Sequence, residues 1–254
     1  MATASRPSSS GKIEIESADD FVLTAKTSIT SATFTGLITG SGSVADVRVE
    51  IYRIFPKDSD TSRTPNVPTR VNSPSDVEFD DRDSASGNLS FTTSDVGMFS
   101  VANSVRPGGI QGCPCPPAPT TGGDGPLAGE EFEFGVTFTT PFLLPADHYF
   151  FVPQVEVTDP TGDFYWLSAP RPIVPPGTSF PMGFTDLQSW TRDENLAPDW
   201  LRVGTDIVGG SPAPTFNAAF SVTGIAVPEP ASMSLLALAL TGLGVVRARR
   251  GRRR

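Results

Sequence analysis

The run Glu131-Phe-Glu-Phe-Gly-Val-Thr-Phe-Thr changes character at every step. Phe132, Phe134, Val136 and Phe138 share one side, and Glu131, Glu133, Thr137 and Thr139 share the other. That is the period of an extended strand with one face buried. Lys12-Ile-Glu-Ile-Glu repeats it, as does Val47-Arg-Val-Glu-Ile-Tyr, with Val47, Val49 and Ile51 on one side. Phe216, Ala218, Phe220 and Val222 do the same further on. Other strands are predicted at 20–24, 31–38, 89–92, 149–157 and 164–168. No stretch before residue 231 carries a sustained helical stripe. Strands apolar on one side need a second layer to cover them. The expected fold is therefore all-β, an antiparallel β-sandwich of jelly-roll type. Its core is predicted to hold Phe34, Val49, Ile51, Phe132, Phe134, Val136, Phe138, Phe216 and Phe220.

Between the strands the chain is heavily punctuated, with 24 Gly and 25 Pro among 254 residues. This suits short strands joined by turns. Residues 1–11, polar and Ser-rich, read as a disordered leader. The domain is expected to run over 12–226. Two stretches inside it, 56–88 and 105–129, carry no clear strand pattern and read as long loops. The second contains the only cysteines, Cys113 and Cys115, within Gly112-Cys-Pro-Cys-Pro-Pro. Two thiols do not complete a structural zinc site, and the following prolines oppose the helix start of a redox motif. A local disulfide and idle loop thiols both fit.

Enzymatic chemistry finds few parts. His148 is the single histidine and lies at a strand start, with no nucleophile elbow anywhere in the chain. A structural or surface role is expected for it. Paired carboxylates are common, and a divergent glycoside hydrolase would need two of them facing across a cleft. Nothing in the spacing selects such a pair, so no catalytic activity is expected. Asp80, Asp81 and Asp83, with Asn88, offer hard oxygen ligands of the kind calcium takes. The run is not an EF-hand loop, because Ala85 stands at its third ligand position and no Glu at its twelfth. An irregular calcium site and a solvated acidic loop both fit; no other cofactor is expected. Trp190 and Trp200 flank a polar segment holding Arg192, Asp193 and Asn195. Exposed, such rings would stack on sugars and make the domain a carbohydrate-binding module. Buried, they would be packing residues.

The formal charge is −9. Setting aside the six arginines after residue 246 and Glu229 leaves 13 basic and 27 acidic residues, a net −14 over residues 1–226. So acidic a domain is repelled by nucleic acid, which is excluded as a partner. The last 28 residues differ from everything before them. Val227-Pro228-Glu229-Pro230 is held extended by its two prolines. Residues 231–246 carry no charge and are rich in leucine. As a helix they would reach about 24 Å, against a hydrocarbon core of about 30 Å. Flanking residues or local thinning make up the difference. Arg247, Arg249, Arg250, Arg252, Arg253 and Arg254 then stop transfer, placing the tail inside and the domain outside.

This order of motif, apolar run and arginine cluster, over 227–254, resembles the PEP-CTERM sorting signal of Gram-negative bacteria that secrete exopolysaccharide. Ala18-Asp-Asp-Phe-Val-Leu, Ile29-Thr-Ser-Ala-Thr-Phe-Thr-Gly-Leu and Phe220-Ser-Val-Thr-Gly are similar to framing strands of such proteins. The resemblance implies an exosortase as partner, transient residence in the inner membrane through 231–246, and delivery to the cell surface or extracellular matrix. It also implies association with exopolysaccharide and biofilm, and an N-terminal signal peptide. Met1-Ala-Thr-Ala-Ser-Arg-Pro-Ser-Ser-Ser has no apolar region of that kind, so the start of translation is expected upstream, the alternative being a truncated copy that is never exported.

Overall fold

The computed structural model describes residues 1–9, 11–112, 120–170 and 188–228. Its strands are β1 (Ala2–Ala4), β2 (Ile15–Leu23), β3 (Thr27–Ile38), β4 (Val44–Ile54), β5 (Pro74–Asp83), β6 (Leu89–Val101), β7 (Ser104–Val105), β8 (Leu127–Leu144), β9 (Asp147–Val157), β10 (Phe164–Pro170), β11 (Trp190–Asp193), β12 (Leu201–Arg202), β13 (Phe216–Ala218) and β14 (Phe220–Ala226). They form two curled sheets. The first runs β6-β8-β3-β10-β1-β7, with β13 on β10 and β14 on β3; the second runs β12-β11-β2-β9-β4-β5. Pairing is antiparallel except between β1 and β7.

The alternation seen in the sequence becomes the core. Phe34 of β3 lies opposite Phe134 of β8, their rings stacked at 4.7 Å. Phe164 meets both edge-on, at 5.9 and 5.4 Å. From the second sheet, Val47, Val49, Ile51, Tyr149, Phe151 and Val155 close over them. Phe34, Val49, Ile51, Phe134, Val136, Phe138 and Phe216 are buried as expected. Phe132 and Phe220 are only partly buried and pack at the margin of this cluster. Phe132 pairs with Asp95 on the edge strand β6, and Phe220 sits on β14, where no further strand covers it.

Three expectations are corrected. The leader expected over residues 1–11 is ordered over residues 1–9, its first strand part of a sheet. Ala2 and Ala4 are fully buried in β1, which pairs with β10, and Ser5 Oγ donates to Pro153 O at 2.6 Å. Arg6 is buried against Asp163. Small side chains carry little apolar signal yet fit a crowded interior. The stretch 56–88 is not all loop, since it contains β5. That strand carries five acids, countered by Arg48 on β4, 3.3 Å from Glu78, and by its own Arg82, 2.6 Å from Asp80. The segment between the two tryptophans holds β11, four residues buried throughout.

The helix expected at 231–246 lies outside the described residues. Among the described residues no helix is long and apolar enough to cross a membrane. A six-residue helical turn, Val203–Val208, closes with Gly209 N–H donating to Gly204 O.

Candidate functional site

Trp190 and Trp200 face inward, with exposures of 0% and 1%. With Ala18, Tyr52, Phe150 and Val152 they form a third apolar cluster on the second sheet. Trp190 lies opposite Ala18, whose small side chain leaves room for the indole. Trp200 Nε1 donates to Ser75 O at 3.2 Å. The face of Trp200 is occupied by the Arg192 guanidinium, 4.3 Å from its centroid. Sugar stacking at Trp190 and Trp200 is therefore ruled out by burial. Arg192 and Asp193 are equally unavailable to sugar hydroxyls, being 6% and 5% exposed. Asp193 Oδ1 accepts the Leu196 amide at 2.9 Å and shapes the turn.

Arg192 instead anchors a buried ionic network. Its Nη2 donates to Glu16 Oε1 at 2.9 Å and to the Tyr52 hydroxyl at 2.8 Å, while its Nε donates to Glu16 Oε2. The Tyr52 hydroxyl donates to Glu16 at 2.6 Å and lies 3.2 Å from Glu50. Burial, then the nearby Glu16, push Glu50 well above the usual carboxylate range. Burial alone would lower Arg192, but Glu16 more than offsets it and keeps the guanidinium charged. Two carboxylates beside one hydroxyl invite an acid–base reading. Both are 2–3% exposed and already engaged, so their geometry is that of an interior tie. Sequence reasoning missed Glu16, Glu50 and Tyr52, because only the register brings β2, β4 and β11 together.

Asp80, Asp81 and Asp83, the carboxylates of the irregular calcium reading, lie on β5 with other partners. On β5 successive side chains alternate, and each carboxylate has its own engagement. Asp80 accepts from Arg82 Nη1 at 2.6 Å, Asp81 lies 3.9 Å from Arg48 Nε, and Asp83 accepts the Ala85 amide at 2.6 Å. Asn88 Oδ1 accepts the Asp83 amide. Among the described residues, no three His, Cys, Asp or Glu side chains group to hold a metal ion.

His148 is 4% exposed, stacks on Phe150 at 5.5 Å, and sets Nε2 2.9 Å from Asp20 Oδ2. It is a packing histidine. On the other face of β2 from Asp20, Asp19 points to the interior, fully enclosed. Asp19 accepts from Ser189 Oγ at 2.7 Å, from the Asp20 amide at 2.8 Å and from the Ala218 amide. Burial, aided by the Asp20 charge, pushes its pKa to about 7. Cys113 and Cys115 lie outside the described residues.

The chain's exit is well defined. β14 pairs with β3 from Phe220 opposite Phe34 to Ala226 opposite Thr27. Val227 N–H then donates to Lys26 O at 2.7 Å, and Pro228 is exposed. Val227 and Pro228 of the expected motif thus follow directly on the last strand. Glu229, Pro230, the run 231–246 and the six arginines lie outside the described residues. The approach to the exit depends on Gly224, which follows a bulge. A Cβ there would sit 2.7 Å from Thr27 Cγ2 and 2.8 Å from Ser28 O. Gly224→Val is expected to cost about 1–3 kcal/mol by overpacking, released locally because β14 is an exposed edge. Hydrogen exchange should accelerate at the amides of residues 225–227 while the rest of β3 keeps its protection. Unchanged exchange there would show that the contact is not tight.

The family model of the PEP-CTERM protein-sorting motif matches residues 226–253. No protein of curated function and no solved structure matches the chain. The domain is thus a β-rich body whose last strand leads, with no intervening linker, into a PEP-CTERM sorting motif.

Proposed function

We propose that this chain is an exported, non-catalytic β-sandwich protein of the cell surface or extracellular matrix, associated with exopolysaccharide. The motif implies processing by an exosortase and membrane-associated sorting before export. The observation that carries the reading is the junction itself, a packed domain whose strand β14 ends one residue before Val227. The jelly-roll reading is supported by nested pairs: β2 with β9 in one sheet and β3 with β8 in the other, as in a ribbon rolled across two layers. A structural or adhesive role is supported by how the conspicuous polar groups are spent. Glu16, Glu50, Asp19 and Arg192 hold elements of the fold together.

The test is processing in a host with the matching exosortase. Wild type is expected to lose its last segment and move outward, and Glu229→Ala to stay full-length in the inner membrane. Immunoblots of size-resolved fractions read both. Equal processing of the two, or a wild type that keeps its tail, would leave the segment as a plain anchor.

A further inference from the structure

Two large apolar side chains stand in water beside the chain's exit, Leu143 at 52% and Ile225 at 69% exposure. They are not scattered. Leu143 of β8 and Ile225 of β14 both lie opposite Ser28 of β3, from its two sides. Residues directly opposed across neighbouring strands point to one face, so Leu143, Ser28 and Ile225 form a row. With strands about 4.8 Å apart, the apolar pair spans roughly 10 Å. Alternation fixes the direction, since Phe142 and Leu144 on either side of Leu143 are fully buried. The next row, Leu144, Thr27 and Ala226, is the last before the tail leaves.

We propose that this row is a footing on the bilayer surface, seating the domain on the lipid headgroups into which its own tail inserts. The proposal rests on the reading of 231–246 as the membrane span. Length limits the alternatives. Four residue steps, over three intervening residues, lead from Val227, still hydrogen-bonded to Lys26, to Ala231. Fully extended they cover roughly 13 Å, so this end of the sandwich cannot stand clear of the interface. Charge agrees. Residues 1–226 carry −14 and hold three lysines, of which two, Lys26 and Lys57, are at this end. Lys57 and Arg53 reach Asp147 at the start of β9, and Asp147 lies opposite Leu23 just before the β2–β3 corner. Lys57 and Arg53 meet Asp58 and Asp147 there, and Lys26 adds a cation at the corner, its carbonyl bonded to the Val227 amide. An apolar pair with cations beside it suits a headgroup layer containing anionic lipid, whereas the rest of so acidic a domain is repelled by it.

The experiment uses the full chain, with Cys113→Ser and Cys115→Ser, in liposomes of phosphatidylethanolamine and phosphatidylglycerol. Spin labels are placed one at a time at Leu143→Cys, Ile225→Cys, Ser41→Cys and Leu240→Cys. Residues 143, 225 and 41 are exposed, so their labels leave the core intact. Collisions with oxygen report lipid, and collisions with a water-soluble nickel chelate report solvent. The labels at 143 and 225 are expected to lose nickel collisions severalfold relative to 41 while gaining oxygen collisions, with 240 deepest. Free nickel access at 143 and 225 with 240 still deep overturns the footing alone. Free access at 240 as well overturns the span, and the footing with it. Labels at 143 and 225 shielded from both reagents would mean a protein contact, a second copy included, and would overturn the lipid assignment.

Discussion

Arg192→Met is expected to lower the unfolding free energy by about 3–5 kcal/mol, the usual loss when one partner of a buried ion pair is removed. Met preserves most of the aliphatic stem, so the loss measures the guanidinium: its charge, its hydrogen bonds and its contact with the Trp200 ring. What remains is Glu16, 3% exposed, with Glu50 close by and a single Tyr52 hydroxyl between them. Arg192 also donates to Pro198 O at 3.3 Å and Asp76 O at 3.4 Å, so the segment before Trp200 and the start of β5 both loosen. Arg192→Lys should fall between, since an ammonium keeps the charge but cannot present the fork that meets both Glu16 oxygens. Urea unfolding of the detergent-solubilised chain reads this as a shift in midpoint at unchanged slope. Adding Glu16→Gln to Arg192→Met should recover part of the loss, because it removes the stranded charge. A loss below about 1 kcal/mol, typical of an exposed pair, would mean the network is open to water.

The fold and the site were unequally legible in the sequence, for physical reasons. Strands β3, β4 and β8 show themselves because one face meets the core and the other meets water or polar neighbours, whereas β9, buried on both faces, shows itself as a nearly continuous apolar run. β11 does not, because Trp190, Thr191, Arg192 and Asp193 are all buried and no alternation survives. β1 escapes because Ala-Thr-Ala carries too little bulk to register as apolar, though it is enclosed by β10 and β7. β5 is hidden by its acids, which mask the strand pattern and of whose partners Arg48 becomes a neighbour only through pairing with β4. The sorting motif is the opposite case. It is a contiguous signal, read by its own order of residues, and needs no tertiary contact to be recognised. Trp190 and Trp200 show the limit of composition: an indole flanked by Arg, Asp and Asn reads as a sugar platform until the register turns it inward.

Stability is expected to fall as pH rises from about 5 to 8, with Asp19 carrying much of the change. Its ordinary value is 3.8, and the fold raises it to about 7, through burial first and the Asp20 charge second. Below pH 3.8 the group is protonated in both states and has no effect. Between 3.8 and 7 the unfolded chain gives up its proton while the folded chain holds it. The native state then binds more protons, and stability declines with pH, by about 1.4 kcal/mol per unit. Over about three units this reaches roughly 4 kcal/mol, then levels off above pH 7. Glu50 and Glu78, also raised by burial, act in the same direction. Asp147 and Asp199, held low by Lys57 and Arg63 against their burial, act oppositely, but their contribution is lost only as pH falls below the ordinary carboxylate range. The window from 5 to 8 therefore separates the buried acids from Asp147 and Asp199, and within it, among the described residues, only the Met1 amine, lowered by burial, acts oppositely. Asp19→Asn should flatten most of the slope there, leaving the share of Glu50 and Glu78. It should also carry a pH-independent cost of about 1–3 kcal/mol, because an amide cannot accept from Asp20, Ser189 and Ala218 together. Chemical denaturation at pH 5, 6, 7 and 8 on both proteins separates the two effects. Parallel curves would place the titration elsewhere and show that Asp19 is ionised within the fold, its three donors outweighing its burial.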